Sequence, residues 1–201
     1  MAIKVANNQS LTAITALPSG VSGGAMTLLA TETASSSATL SFTSDIDDTY
    51  DEYVFRFYDI HPSTDVKSLS FQADTGTNTS YNQTITSTVL FAQHAEDDST
   101  TTLSYSTGRD QAQGTSFQTI TIDAGNANDE CVAGYLHLYN PSSTTFVKHF
   151  ITNSNSPTNG THAANNYTAG YFNTTTALTR VQFKMDGGDI DSGVIKLYGI
   201  S

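Results

Sequence analysis

Apolar and polar residues alternate with a period of two again and again along this chain, and no other feature of the sequence restricts its fold as strongly. In "ATLSF" Ala38, Leu40 and Phe42 fall on one side of an extended chain, with Thr39 and Ser41 on the other. "KSLSFQA" sets Leu69, Phe71 and Ala73 against Ser68, Ser70 and Gln72, and "TITI" sets Ile120 and Ile122 against two threonines. "VAGYLHLY" turns Val132, Leu136 and Leu138 one way and Tyr135, His137 and Tyr139 the other. "RVQFKM" repeats the theme with Val181, Phe183 and Met185. Successive side chains leave a strand on opposite faces, so a sheet with one dry face produces this pattern. No stretch keeps a 3.6-residue apolar stripe for more than two turns, which argues against helix.

Clusters of Gly, Pro, Asn, Asp and Ser punctuate the alternating runs: "TSDIDDTYD", "HPSTD", "DTGTNTS", "DAGNAND", "NPSSTT", "NSNSPTNG" and "DGGDIDSG". These residues accept tight or left-handed backbone, or bond their own main chain. Strands recurring every ~8–12 residues between such turns predict an all-β fold, an antiparallel β-sandwich of jelly-roll type. A single domain over residues 26–201 is expected. Residues 1–25, with Pro18 and the Gly/Ser break "SGVSGG", read as a short N-terminal arm used in assembly. The stretch "DDTYDEYVFRFYDIHPSTD" reads as an acidic turn leading into a central strand. Tyr53, Phe55 and Phe57 would lie on one face and Val54, Tyr58 and Ile60 on the other, both buried.

Charge removes some functions from consideration. The net charge is −11, from 19 acidic residues against 8 Lys and Arg, so a phosphate backbone would be repelled and nucleic acid is not an expected partner. No apolar run approaches the ~18 residues of a membrane span, and the N-terminus has no continuous apolar core of a signal peptide. Asp45, Asp47 and Asp51 match three ligand positions of a calcium loop, but Tyr50 replaces its glycine and Arg56 its bidentate glutamate. A looser calcium site shared with Asp189 and Asp191 is the residual metal reading; solvated turns are the expected one. The five histidines form no zinc signature, and His137 and His149 read as cross-strand neighbours. Cys131 reads as a small buried residue, no nucleophile elbow is present, and neither an enzyme nor a cofactor is expected. Tyr81, Tyr105, Tyr135, Tyr139, Tyr167 and Tyr171 sit in or beside Asn/Ser/Gly-rich segments. Rigid amphipathic rings with adaptable polar neighbours suit a receptor or subunit interface.

Several long blocks resemble a protein family abundant in marine bacteriophages, notably cyanophages. They are "ALPSGVSGGAMTLLATETASSSATLSFTSDIDDTYDEYVFRFYDIHPSTD", "YLHLYNPSSTTFVKHF", "AGYFNTTTALTRVQFKM" and "GGDIDSGVIKLYGI". The resemblance extends over nearly the whole chain beyond the arm, in the same order of blocks, and no catalytic motif is among them. The resemblance implies a non-enzymatic virion structural protein, found alone or as the end domain of fibre-like chains. A short arm in place of a repetitive shaft favours a capsid decoration or short surface spike; the alternative is a tail-fibre or receptor-binding module. The expected partners are other virion proteins held through the arm and further copies of the chain, as a homo-oligomer such as a trimer. A host-surface glycan would be the ligand on the alternative reading. The expected place is the virion surface, after assembly in the host cytoplasm.

Overall fold

A computed structural model describes residues 25–158 and 161–200. Thirteen strands make up its regular structure, and no helix occurs among the described residues. In chain order they are β1 (Thr27–Ser37), β2 (Leu40–Phe42), β3 (Glu52–Pro62), β4 (Leu69–Thr75), β5 (Ile85–Ala95), β6 (Thr101–Tyr105) and β7 (Ala112–Gly114). There follow β8 (Gln118–Thr119), β9 (Val132–Tyr139), β10 (Lys148–Thr158), β11 (His162–Phe172), β12 (Leu178–Met185) and β13 (Ile190–Ile200). The large sheet runs β1-β13-β3-β9-β10-β11-β5-β6, with β7 also on β5, and the small sheet runs β2-β12-β4-β8. Every pairing is antiparallel. The sandwich is as expected from the sequence; sheets of nine and four strands do not by themselves define a jelly roll, whose plan has eight. The expected arm, residues 1–25, lies almost wholly outside the described residues.

Phenylalanines join the sheets. Phe42, Phe71 and Phe183 of the small sheet meet Phe55, Phe57, Phe150 and Phe172 of the large one, with ring centroids 5.0–6.0 Å apart across the interface and mostly edge-to-face. That geometry suits the ring quadrupole and adds about 0.5–1.5 kcal/mol per pair to the burial itself.

β3 departs from its reading in one respect. Tyr53, Phe55 and Phe57 do point inward and are buried. Between Phe57, opposite Gly134, and Ile60, opposite Val132, β3 carries an extra residue, and Asp59 adopts φ 51°. This bulge returns Ile60 to the inner face and leaves Tyr58 on the outer one, 41% exposed. Gly193 of β13 crosses the bulge with φ +117°, where a Cβ would stand 2.5 Å from the Asp59 carbonyl oxygen. β3 is therefore buried on both faces only at Val54, not along its length.

The small sheet is covered on its outer side by loops, and buried polar groups fasten them. Gln72 donates from Nε2 to the carbonyls of Gln83, Thr115 and Ser116. Asp74, 1% exposed, accepts from the main-chain N–H of Thr75 and of Tyr81 and from Gln83 Nε2. Asp74→Asn replaces one acceptor oxygen by a donor facing a donor. We expect a loss of about 1–2 kcal/mol in urea unfolding; an unchanged midpoint would count against this role for the carboxylate.

Candidate interaction surface

None of the described residues covers the outer side of the large sheet in a comparable way. Among the described residues, its outward side chains include eight of the ten strongly exposed large apolar or aromatic ones: Leu28, Tyr58, Leu90, Leu103, Tyr105, Tyr135, Ile151 and Tyr167. Register places many of them in one row across eight strands. Thr31 of β1 is opposite Lys196 of β13, Lys196 opposite Arg56 of β3, and Arg56 opposite Tyr135 of β9. Tyr135 is opposite Asn153 of β10, which leads to Tyr167 of β11, Leu90 of β5 and Tyr105 of β6. The exposures of Tyr135, Tyr167, Leu90 and Tyr105 are 37, 55, 47 and 45%. Single exposed apolar residues are ordinary, whereas a continuous band of them marks a contact surface.

Five of the six tyrosines singled out in the sequence belong to this face. Tyr105, Tyr135 and Tyr167 lie in the row, while Tyr139, opposite Glu52, and Tyr171, opposite His149 and Thr86, lie beside it. Tyr81 does not. It is 6% exposed, packs near Phe117, and its N–H is held by Asp74, so it belongs to a loop covering the small sheet. Its polar sequence neighbours resemble those of the surface tyrosines, and only the fold separates them.

The face is short of acid in an acidic protein. β9, β10, β11, β5 and β6, five adjacent strands, contain no Asp or Glu. Glu52 stands at the start of β3 and accepts from His137 Nδ1, whose ring also stacks on Tyr139. The Lys196 ammonium lies 5.5 Å from the centroid of Tyr58. Burial and a hydrogen bond with Tyr58 push the Tyr198 phenol above its ordinary value, and the Asp110 carboxylate, accepting from Tyr105 at 2.6 Å, does the same for Tyr105. Burial and the charge of Glu52 raise Tyr139. These phenols are therefore neutral near pH 7 and can act as donors. Asn153 donates from Nδ2 to Asn165 Oδ1 at 3.0 Å. Beside the row, a shallow hollow of about 410 Å³ has Ala169 and Gly170 at its floor and His149, Ile151, Tyr171 and Thr88 around it.

The remaining candidates do not assemble. Asp45, Asp47 and Asp51 precede β3, whereas Asp189 and Asp191 lie at its far end, where Ile190 pairs with Pro62. One cation cannot bridge two ends of an 11-residue strand. Locally, Asp45 accepts from Ser44, Asp47 from Thr49 N–H and Tyr53, and Asp191 from Ser36. His137 is opposite Ile151 and His149 opposite Tyr171, so the two histidines are not direct cross-strand partners. Cys131 is half-buried, and burial together with Asp59 raises its thiol. The described residues thus form an all-β sandwich with one tyrosine-rich sheet face that none of them covers. Comparison of the chain with protein-family models, curated proteins and solved structures finds no match.

Proposed function

We propose that this chain is a non-enzymatic structural protein of a bacteriophage particle, a capsid decoration or short surface spike, and that the outer face of its large sheet is an assembly surface. The observation that carries the reading is the band of exposed tyrosine, leucine and isoleucine on five strands without a carboxylate, in a chain of net charge −11. Such a band loses water favourably against another protein, while the acidic loops around it discourage contact elsewhere. The resemblance of the long sequence blocks to marine-phage virion proteins supplies the setting. On this reading residues 1–24, outside the described part, engage a neighbouring virion protein.

Quantitative mass spectrometry of purified virions tests the proposal. A decoration protein is expected at hundreds of copies per particle. A few copies, together with binding of the isolated protein to host cells or to a glycan array, would replace it with the receptor-binding module. Absence from the particle would overturn both.

A further inference from the structure

We propose that the partner of this face is the same face of a second copy, stacked about a two-fold axis parallel to the strands; this rests on the reading of the face as an assembly surface. Size permits it. Eight strands at ~4.8 Å spacing give a face about 34 Å wide, and 11-residue strands at ~3.3 Å per residue make it about 36 Å long. The product exceeds the ~800 Å² per partner of a standard stable interface.

Charge and side-chain size choose the axis. A two-fold interface brings residue i onto j and j onto i. An axis in the interface plane and perpendicular to the strands would lay β3 on its own copy and bring Arg56 towards the second Arg56. An axis parallel to the strands, passing between β9 and β10, lays β3 on β11 and β13 on β5. Arg56 then faces the second copy's Tyr167, and Tyr135 faces Asn153, all four lying in one row of the sheet. Guanidinium over a phenol ring is a favourable cation–π pair that is strengthened as water leaves. The adjacent rows match in size as well. Tyr58 meets Asn165 and Tyr198 meets Thr88, a large side chain against a small one each time. Sheets stacked face to face at ~10 Å and ~30° preserve these pairings near the axis and relax them towards β1 and β6.

Self-association also suits the electrostatics. Two copies of net charge −11 repel through their loops, and the five strands without Asp or Glu form the largest part of the surface where they can approach without that penalty. Arg56 lies on one half of the face and Tyr167 on the other, so the two-fold brings the Arg56 of each copy onto the Tyr167 of the second.

Sedimentation-equilibrium measurements on the full chain provide the test. The wild type is expected to be a dimer at micromolar concentration. Tyr167→Lys places a cation against Arg56 of the second copy and should weaken the dimer about 30- to 1,000-fold. Tyr167→Glu should retain it, with a new salt dependence, because the carboxylate meets Arg56. The double change Arg56→Glu with Tyr167→Lys should restore what the single lysine breaks. Val66→Lys, on an exposed residue of the β3–β4 turn, should have no effect. Tyr167 is half in water, and unaltered near-ultraviolet circular dichroism will show that its variants fold. A monomeric wild type, a trimer, or a dimer indifferent to Tyr167→Lys would overturn the proposal. None of these outcomes changes the copy number on virions, so the two readings fail separately.

Discussion

Phe183→Ala is expected to lower the unfolding free energy by about 3–5 kcal/mol, a large part of the ~5–15 kcal/mol that holds a domain folded. Phe183 is fully buried on β12, and its ring lies 5.3 Å from Phe55, 5.4 Å from Phe57, 6.1 Å from Phe71 and 6.2 Å from Phe42. Two of these neighbours belong to the large sheet and two to the small one, so no single strand can move to fill the space. Collapse of the cavity would require the sheets to approach, which the rest of the aromatic layer resists. The loss should therefore fall at the upper end of the range, and Phe183→Leu, which keeps most of the volume, should cost less than half as much. Urea unfolding followed by far-ultraviolet circular dichroism measures both. A loss below about 1.5 kcal/mol for the alanine variant would mean that the layer is not close-packed here.

The contrast with the outer face is informative. Tyr167 is as large as Phe183, yet it is half in water, and its removal should leave the stability of the folded chain almost unchanged. One aromatic residue holds the sandwich together, whereas the other is available to a partner. Phe183 stands in a strand of alternating apolar residues, whereas Tyr167 stands in a run of polar and small ones.

Sequence periodicity identifies those strands whose inner face is apolar. β9 coincides with "VAGYLHLY", and β12 and β2 lie where Phe183, Leu40 and Phe42 recur at every second position. It misses β10 and β11 because their inner faces are polar. Ser154 and Ser156, completely buried, donate to the carbonyls of Ile120 and Ile122, and Thr152, Asn166 and Thr168 are buried beside them. Hydroxyls that satisfy main-chain carbonyls inside a sandwich look, in sequence, like a turn. "NSNSPTNG" therefore reads as a loop, although its residues as far as Thr158 form the second half of β10. "HAANNYTAGYF" lacks an apolar alternation because Ala164, Asn166, Thr168 and Gly170, small or polar, occupy the inward positions.

The exposed face of the large sheet is partly legible in the sequence. Tyrosines flanked by Asn, Ser and Gly identify five of its members, because residues on a wet face are free to be polar and their rings stand out. The two-sheet arrangement that leaves one face uncovered is not written in any local window. It follows from the unequal strand counts, and those depend on long-range pairing. The cations are not placed by local sequence: Arg56 sits within an apolar run and Lys196 within "GVIKLYGI", and only register sets Arg56 opposite Tyr135, Lys196 opposite Arg56, and both in one row with Tyr167.

The acidic turn before β3 has a different consequence, one that appears at high pH. The Tyr53 hydroxyl is enclosed at the end of the core, and it donates to Asp47, 2.9 Å from Oδ1, while accepting from the Asp47 N–H at 3.0 Å. Burial, with the Asp47 carboxylate adding to it, pushes the phenol up to about 12 from an ordinary value near 10. A group whose pKa is higher in the folded state contributes stability that is complete below its unfolded value and is lost as pH rises through the folded one. Tyr53 should therefore stabilise the fold up to about pH 10 and cease to do so by about pH 12, a change of about 2–3 kcal/mol. Lys148 works in the opposite sense over part of this range. It is fully buried, donates to the carbonyls of Phe146 and Thr174, and burial lowers its pKa, so raising the pH removes a charge that the fold accommodates at a cost. The two are separated by comparing the wild type with Tyr53→Phe, which leaves Lys148 and the surface phenols in place. Near pH 8 the variant should be about 1 kcal/mol less stable, having lost the bonds with Asp47. As the pH approaches 12 the deficit should close and then reverse, because the wild type alone must ionise a buried phenol or hold its proton against the solvent. Asp47 produces the acid counterpart: the N–H and hydroxyl of Thr49, with Tyr53, hold its carboxyl below the usual value, so its contribution is present at neutral pH and disappears as pH falls through that lowered value. Urea midpoints of both proteins from pH 8 to pH 12, with phenolate absorbance recorded in parallel, decide the matter; a constant difference across that range would show that Tyr53 titrates as it does in the unfolded chain.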